Sequence, residues 1–188
     1  MEALLTSFLA AALAEWGDKT QLFVVALAVR YRAPLPILAG VVLAASANAL
    51  IAALGGVLVH DLILIRAISL LLAVALVFAG VSGLIVTRPP ALGERWKSGP
   101  FLTAAGGFFL VEFGDKTQFL TGAIAAQYDS LLLAAAGAAA GVALSSAPAA
   151  LLGDRMEKLL PVRALRIGIA ALFLFAGFVV AVSALRLI

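Results

Sequence analysis

The sequence predicts an all-α integral membrane protein with six transmembrane helices arranged as two inverted three-helix repeats. Three observations predict it: apolar runs of spanning length, a bias of Lys and Arg to one set of loops, and a near-identical heptapeptide that recurs after 97 residues. Of the 188 residues, 64% are hydrophobic and 12% charged, about half the charge of a typical soluble domain. Mean hydropathy is +1.17. The apolar residues form long runs and not amphipathic stripes, so the solvent they imply is lipid.

Six runs reach the length of about 20 residues that a helix needs to cross the hydrocarbon core. They cover about 3–29, 35–59 and 67–87, then 101–126, 131–152 and 164–186. Between them lie Arg30–Arg32 with Pro34 and Pro36, His60–Asp61, Pro89–Pro90 with Glu94–Lys97, Gln127–Asp129, and Asp154–Lys158 with Pro161. The first run lacks a basic leader and a small-residue cleavage pattern, so it reads as a helix and not as a signal peptide. Every loop is short, which leaves no room for a separate soluble domain.

Basic residues set the expected orientation. Arg30, Arg32, Arg88, Arg95, Lys97, Arg155, Lys158, Arg163 and Arg166 flank the first, third and fifth loops, against Arg66 and Arg186 on the other side. The positive-inside rule then places those three loops in the cytoplasm and both termini on the non-cytoplasmic side. Topology also accounts for the net charge of +3 and the pI near 9.7, so nucleic acid is not an expected partner. The chain has no cysteine, which excludes disulfides, thiolate metal sites and thiol chemistry.

The heptapeptide reads EWGDKTQ at 15–21 and EFGDKTQ at 112–118. In the same register Tyr31 maps to Tyr128, Gly40 to Gly137, Gly56 to Gly153, Arg66 to Arg163, and Phe78–Gly80 to Phe175–Gly177. This is an internal duplication, with a first repeat at 1–90, a second at 98–188, and a short cytoplasmic loop, 88–100, between them. Three spans per repeat is an odd number, so the second repeat enters the membrane upside down. The pseudo-two-fold axis would bring the two motifs together near the midplane, as in many secondary transporters.

An ionisable side chain at mid-membrane costs at least about 2.5 kcal/mol and is a functional candidate by default. The two motifs supply six: Glu15, Asp18, Lys19, Glu112, Asp115 and Lys116. On an unbroken helix Glu15, Asp18 and Lys19 share about one face, and Gln21 extends it. Gly17 and Gly114 permit close backbone approach or a local break that exposes carbonyls. Joined, the motifs offer four carboxylates, two amides and two threonine hydroxyls. Oxygen donors suit hard divalent cations such as Ca²⁺, Mn²⁺ or Mg²⁺. With both lysines counted, the ionised cluster carries −2, which one divalent ion neutralises. Without the ion, crowded carboxylates should take up protons, and a site that chooses between M²⁺ and protons is suited to exchange.

Asn48 and its counterpart Ser145 could complete the coordination shell or hold its waters; with Ser46 and Ser146 they could equally hydrogen-bond helices together. Gly137 and Gly141 read as a close-packing face. Arg95, Trp96 and Lys97 read as interface anchors, His60 as interfacial, and Phe173, Phe175 and Phe178 as facing lipid or neighbouring helices.

The twin E-x-G-D-K-T motifs resemble the signature of the Golgi-type manganese/calcium–proton exchanger family, and the resemblance covers essentially the whole chain. It implies export of Mn²⁺ or Ca²⁺ from the cytosol coupled to inward proton movement. The implied cation ligands are Glu15, Asp18, Glu112 and Asp115, with Lys19, Thr20, Lys116 and Thr117 completing the motifs. The sequence lacks the family's N-terminal targeting extension and long acidic central loop, so it looks like a compact prokaryotic member of the plasma (inner) membrane.

The expected site therefore has Glu15, Asp18, Glu112 and Asp115 on the metal and the two glutamates carrying protons. Lys19 and Lys116 balance charge, while Thr20, Gln21, Thr117, Gln118, Asn48 and Ser145 act as further ligands or gates. The ions are substrates and no cofactor is expected; a homo-oligomer is compatible with the sequence. Two rivals remain at this point: an exporter of a small organic solute such as an amino acid, and an intramembrane hydrolase using Asp18 and Asp115 as a dyad.

Overall fold

A computed structural model describes residues 1–85, 90 and 96–186. Arg88, Glu94 and Arg95, with most of the expected joining loop, lie outside the described residues, as do the last residues of the run 67–87 and of the second repeat. The described residues form α1 (Glu2–Ala14), α2 (Lys19–Tyr31), α3 (Pro34–His60), α4 (Ile65–Leu84), α5 (Gly99–Glu112), α6 (Lys116–Tyr128), α7 (Leu131–Leu152), α8 (Met156–Leu159) and α9 (Val162–Ala184), with a 3₁₀ turn at Gly153–Arg155. No strand occurs among them.

Among the described residues, four helices are long and apolar enough to cross a membrane: α3, α4, α7 running on through its 3₁₀ turn, and α9. Their outward faces are apolar, as at Leu54, Val74, Leu144, Phe175 and Phe178, which is what contact with lipid chains requires. Prolines start α3 and α5 inside the first turn, where the missing N–H is not needed.

The expected runs 3–29 and 101–126 are each broken at the motif, so the reading of Glu15, Asp18 and Lys19 as neighbours on one continuous helix face is corrected. The cause is local. Gly17 has φ +71° and Gly114 φ +75°, left-handed values that terminate a helix and that only glycine adopts without strain. Asp18 and Asp115 follow in extended conformation and start α2 and α6 as N-cap residues. At 13 residues, α1 and α2 are each about 20 Å long, short of the core thickness alone.

Packing is exchanged between the halves. α1 lies on α7 and α5 on α3; α3 packs on α6 and α7 on α2; α1 meets α6 and α5 meets α2; α3 meets α7, and α4 meets α9. Interchanging α1 with α5, α2 with α6, α3 with α7 and α4 with α9 turns this set into itself. The glycines show why the backbones come close. A Cβ at Gly137 would strike the Leu4 carbonyl, and one at the equivalent Gly40 would strike that of Phe101, the counterpart of Leu4. Gly80 against Leu174 and Gly177 against Val77 repeat the relation between α4 and α9. The largest departure is that α4 also packs extensively on α6, with no comparable contact of α9 on α2 among the described residues.

Candidate metal site at the two helix breaks

The breaks put both motifs against each other, and their lysines cross over. Lys116 Nζ lies 2.5 Å from Asp18 Oδ2, and Lys19 Nζ lies 3.1 Å from Asp115 Oδ1. Each aspartate is thus neutralised by the lysine of the other motif. Both aspartates also sit at the N-terminus of a helix, whose dipole favours a negative charge.

Gln21 and Gln118 hold the breaks open in a matched way. Gly17 N–H donates to Gln21 Oε1 at 2.8 Å, and Gly114 N–H donates to Gln118 Oε1 at 2.8 Å. The amide nitrogens reach the facing helices: Gln21 donates to the Ser145 carbonyl at 2.7 Å, and Gln118 donates to the Asn48 carbonyl at 3.3 Å. Asn48 and Ser145 are counterparts in the two halves, so the whole clamp obeys the pseudo-symmetry. It gives each glycine N–H, at the break between two helices, a side-chain acceptor. The signal was in the sequence as the Gln of each heptapeptide, but its partners were not readable there.

The glutamates break the symmetry. Glu15 is buried and accepts hydrogen bonds from the hydroxyls of both Thr20 and Thr117, the latter at 2.5 Å. Glu112 is also buried, but its partner is Asn48, whose Nδ2 donates at 3.2 Å. Asn48 is thereby drawn into the site, whereas Ser145 turns its hydroxyl to the Val142 carbonyl of its own helix at 2.9 Å.

Ligand oxygens of Glu15, Asp18 and Asp115 lie within 4.8 Å of one another. One hard cation could bind all three, since such ions take oxygens at about 2.0–2.6 Å. Asp115 Oδ2 is buried with no hydrogen-bond partner, a costly state for a carboxylate oxygen unless a cation or water engages it. Glu112 stands outside this trio. No cysteine is present to make a softer site.

Access to the two breaks differs. A cavity of about 330 Å³ between α3, α4 and α6 reaches Gly114, Asp115 and Gln118, room for roughly ten waters. At the first break, Gly17 is covered by Val162 and Arg166, the nearest atoms 3.1–3.2 Å from the position of an added Cβ. Lys116 and Asp18 are nearly inaccessible, at 4% and 5% side-chain exposure, against 36% and 14% for Lys19 and Asp115.

Of the residues read as structural, Gly137 and Gly141 do form a close-packing face, against Leu4 and Phe8 of α1. Phe175 and Phe178 point outward while Phe173 is buried. His60 Nδ1 contacts the Ala126 carbonyl at 2.7 Å, tying α3 to the C-terminal part of α6.

The model of the GDT1 family, described as "Divalent cation/proton antiporter GDT1", matches residues 3–89 and again 100–187. Over 184 residues the chain is 38% identical to a protein of Vibrio cholerae serotype O1 (strain ATCC 39541 / Classical Ogawa 395 / O395) named "Putative manganese exporter", covering 96% of this chain and 91% of that one. No solved structure matches it. With the long apolar helices and both family matches centred on the motif-bearing halves, the chain belongs to the GDT1 family of divalent cation/proton antiporters, integral membrane transporters and not enzymes.

Proposed function

We propose that the protein exports Mn²⁺, and in addition or alternatively Ca²⁺, from the cytosol in exchange for protons. The observation that carries this reading is the trio of Glu15, Asp18 and Asp115, three carboxylates from two helix breaks gathered within reach of one ion. Manganese is favoured by the name of the Vibrio cholerae relative and by an all-oxygen donor set, which suits Ca²⁺ also.

Glu15, Asp18 and Asp115 bind the cation directly, and Glu112 stands close enough in the fold to join as the site rearranges. Glu15 and Glu112 carry the protons that return inward. Lys19 and Lys116 hold the aspartates in the absence of metal and yield them to it. Thr20 and Thr117 orient Glu15, Asn48 orients Glu112, and Gln21 and Gln118 keep the breaks intact, with Ser145 receiving one clamp. A divalent ion displacing the lysines from both aspartates would loosen a contact between the halves, so binding is linked to movement.

The membrane arrangement goes with it. Two three-span halves, with α1–α2 and α5–α6 as broken spans, are supported by the exchanged packing and by the family matching once in each half. In the plasma membrane the basic loops are cytoplasmic and both termini lie on the other side. The cavity at Asp115 follows α3 toward its end at His60, which is the non-cytoplasmic side, so the conformation is open for release.

Proteoliposome flux under an imposed pH gradient, comparing Mn²⁺, Ca²⁺ and Mg²⁺, tests substrate and coupling together. Uptake that collapses with the gradient and with Asp115→Asn is expected. Metal-independent flux, or a wild-type rate in that variant, would overturn the assignment.

A further inference from the structure

The two breaks are alike in sequence and in backbone, yet one is covered and one is open. The cover over Gly17 comes from the first turns of α9, where Val162 and Arg166 are one turn apart. At the second break the Cβ position of Gly114 meets nothing within 4 Å. The residues that correspond to Val162 and Arg166 are Ile65 and Ser69, and Ser69 is engaged elsewhere, donating to the Ile65 carbonyl and to Gln127.

Arg166 has no such engagement. Its Nε is buried without a hydrogen-bond partner, and it makes no ion pair among the described residues. It lines a small enclosed space with Asp18, Lys116, Trp16 and Ser82. Its lining also includes Ile85, at the end of α4 that the basic loops mark as cytoplasmic. A guanidinium stays charged at any working pH, and an unpaired buried donor nitrogen is costly where it stands. The group is therefore poised to leave that position once the packing around it loosens.

We propose that Val162 and Arg166 form the cytoplasmic gate of the transporter, with Arg166 as a tethered cation that blocks the path between Asp18 and the cytosol. Loading from the cytosol requires the start of α9 to lift from Gly17. The charge is placed on one side only, because position 69 carries Ser where position 166 carries Arg. The release path toward Asp115 has no equivalent plug, so a cation leaves without passing a guanidinium and enters only after one has moved. The inference rests on the cation-export reading for its direction, and on the geometry at Gly17 for the gate itself.

The chain has no cysteine, so single cysteines report cleanly. Ser82→Cys is labelled with a membrane-impermeant maleimide from the cytoplasmic face, alone and combined with Arg166→Ala or Arg166→Lys; Gly55→Cys, in the open cavity, is labelled from the opposite face. Arg166→Ala is expected to raise labelling at position 82 about tenfold, the response of a closed state with a sparsely populated open form. Arg166→Lys should stay near the parent rate, and labelling at position 55 should hold or fall. Equal rates at position 82 in all three backgrounds would overturn the gate, as would labelling there only from the non-cytoplasmic face. If Arg166→Ala does not fold, Arg166→Gln takes its place. The readout needs no metal: a labelling difference without Mn²⁺ flux would sink the substrate reading and leave the gate standing.

Discussion

Lys116 Nζ lies 2.5 Å from Asp18 Oδ2, so the lysine of the second motif neutralises the aspartate of the first in a nearly dry setting. The reciprocal pair, Lys19 with Asp115, is longer and more accessible. Removing one partner of a buried pair strands a charge, at a cost of about 3–5 kcal/mol, whereas an accessible pair contributes no more than about 1 kcal/mol. K116Q should therefore destabilise the protein far more than K19Q in detergent unfolding. Added Mn²⁺ should narrow the gap, since the ion supplies the missing positive charge.

Glu15 and Glu112 should separate in binding. Glu15 belongs to the trio of carboxylates and Glu112 does not. E15Q should weaken Mn²⁺ binding more than about tenfold, because ligand charge count sets affinity at such sites. E112Q should weaken it less while still reducing flux. Isothermal titration on each variant, alongside the flux assay, checks the order; equal losses of binding would contradict it.

The glutamine clamps predict a smaller, paired effect. Q21A removes the two hydrogen bonds of the clamp, from the Gly17 N–H at 2.8 Å and to the Ser145 carbonyl at 2.7 Å. A buried hydrogen bond contributes about 0.5–1.5 kcal/mol net, so Q21A should lower the unfolding free energy by about 1–3 kcal/mol. Q118A should cost less, because its bond to Asn48 is 3.3 Å long and the residue is partly exposed. Thermal unfolding of the two variants gives the comparison.

The motif glycines should also differ. Both have positive φ, so alanine at either position incurs about 1–2 kcal/mol of backbone strain. Only at Gly17 does the new methyl group also press on Val162 and Arg166. G17A should melt below G114A, and the order would reverse if the open and covered breaks were assigned the wrong way round.

Much of this was legible in the residues. Long apolar runs gave helices because only internally satisfied backbone survives in lipid, and the repeated heptapeptide named the acids that meet at the breaks. The broken helix was one of two readings of Gly17 and Gly114, and the left-handed backbone selects it. The crossing of Lys19 and Lys116 was not legible, since spacing along one motif says nothing of which carboxylate lies across the interface. Nor was the claim of both Thr20 and Thr117 on Glu15, because near-identical motifs give no hint of which copy is closed. Over the closed copy lie Val162 and Arg166, where the other half has Ile65 and Ser69.

The seating of α1 on α7 has a consequence for biosynthesis. α1 ends at Ala14 and α7 begins at Leu131, so at ~5–20 residues per second the first helix leaves the ribosome roughly ten seconds before its partner. Through that interval Glu15 and Asp18 have neither Thr117 nor Lys116 beside them. The earliest segment of the nascent chain must therefore be shielded from the hydrocarbon until the second motif has been translated.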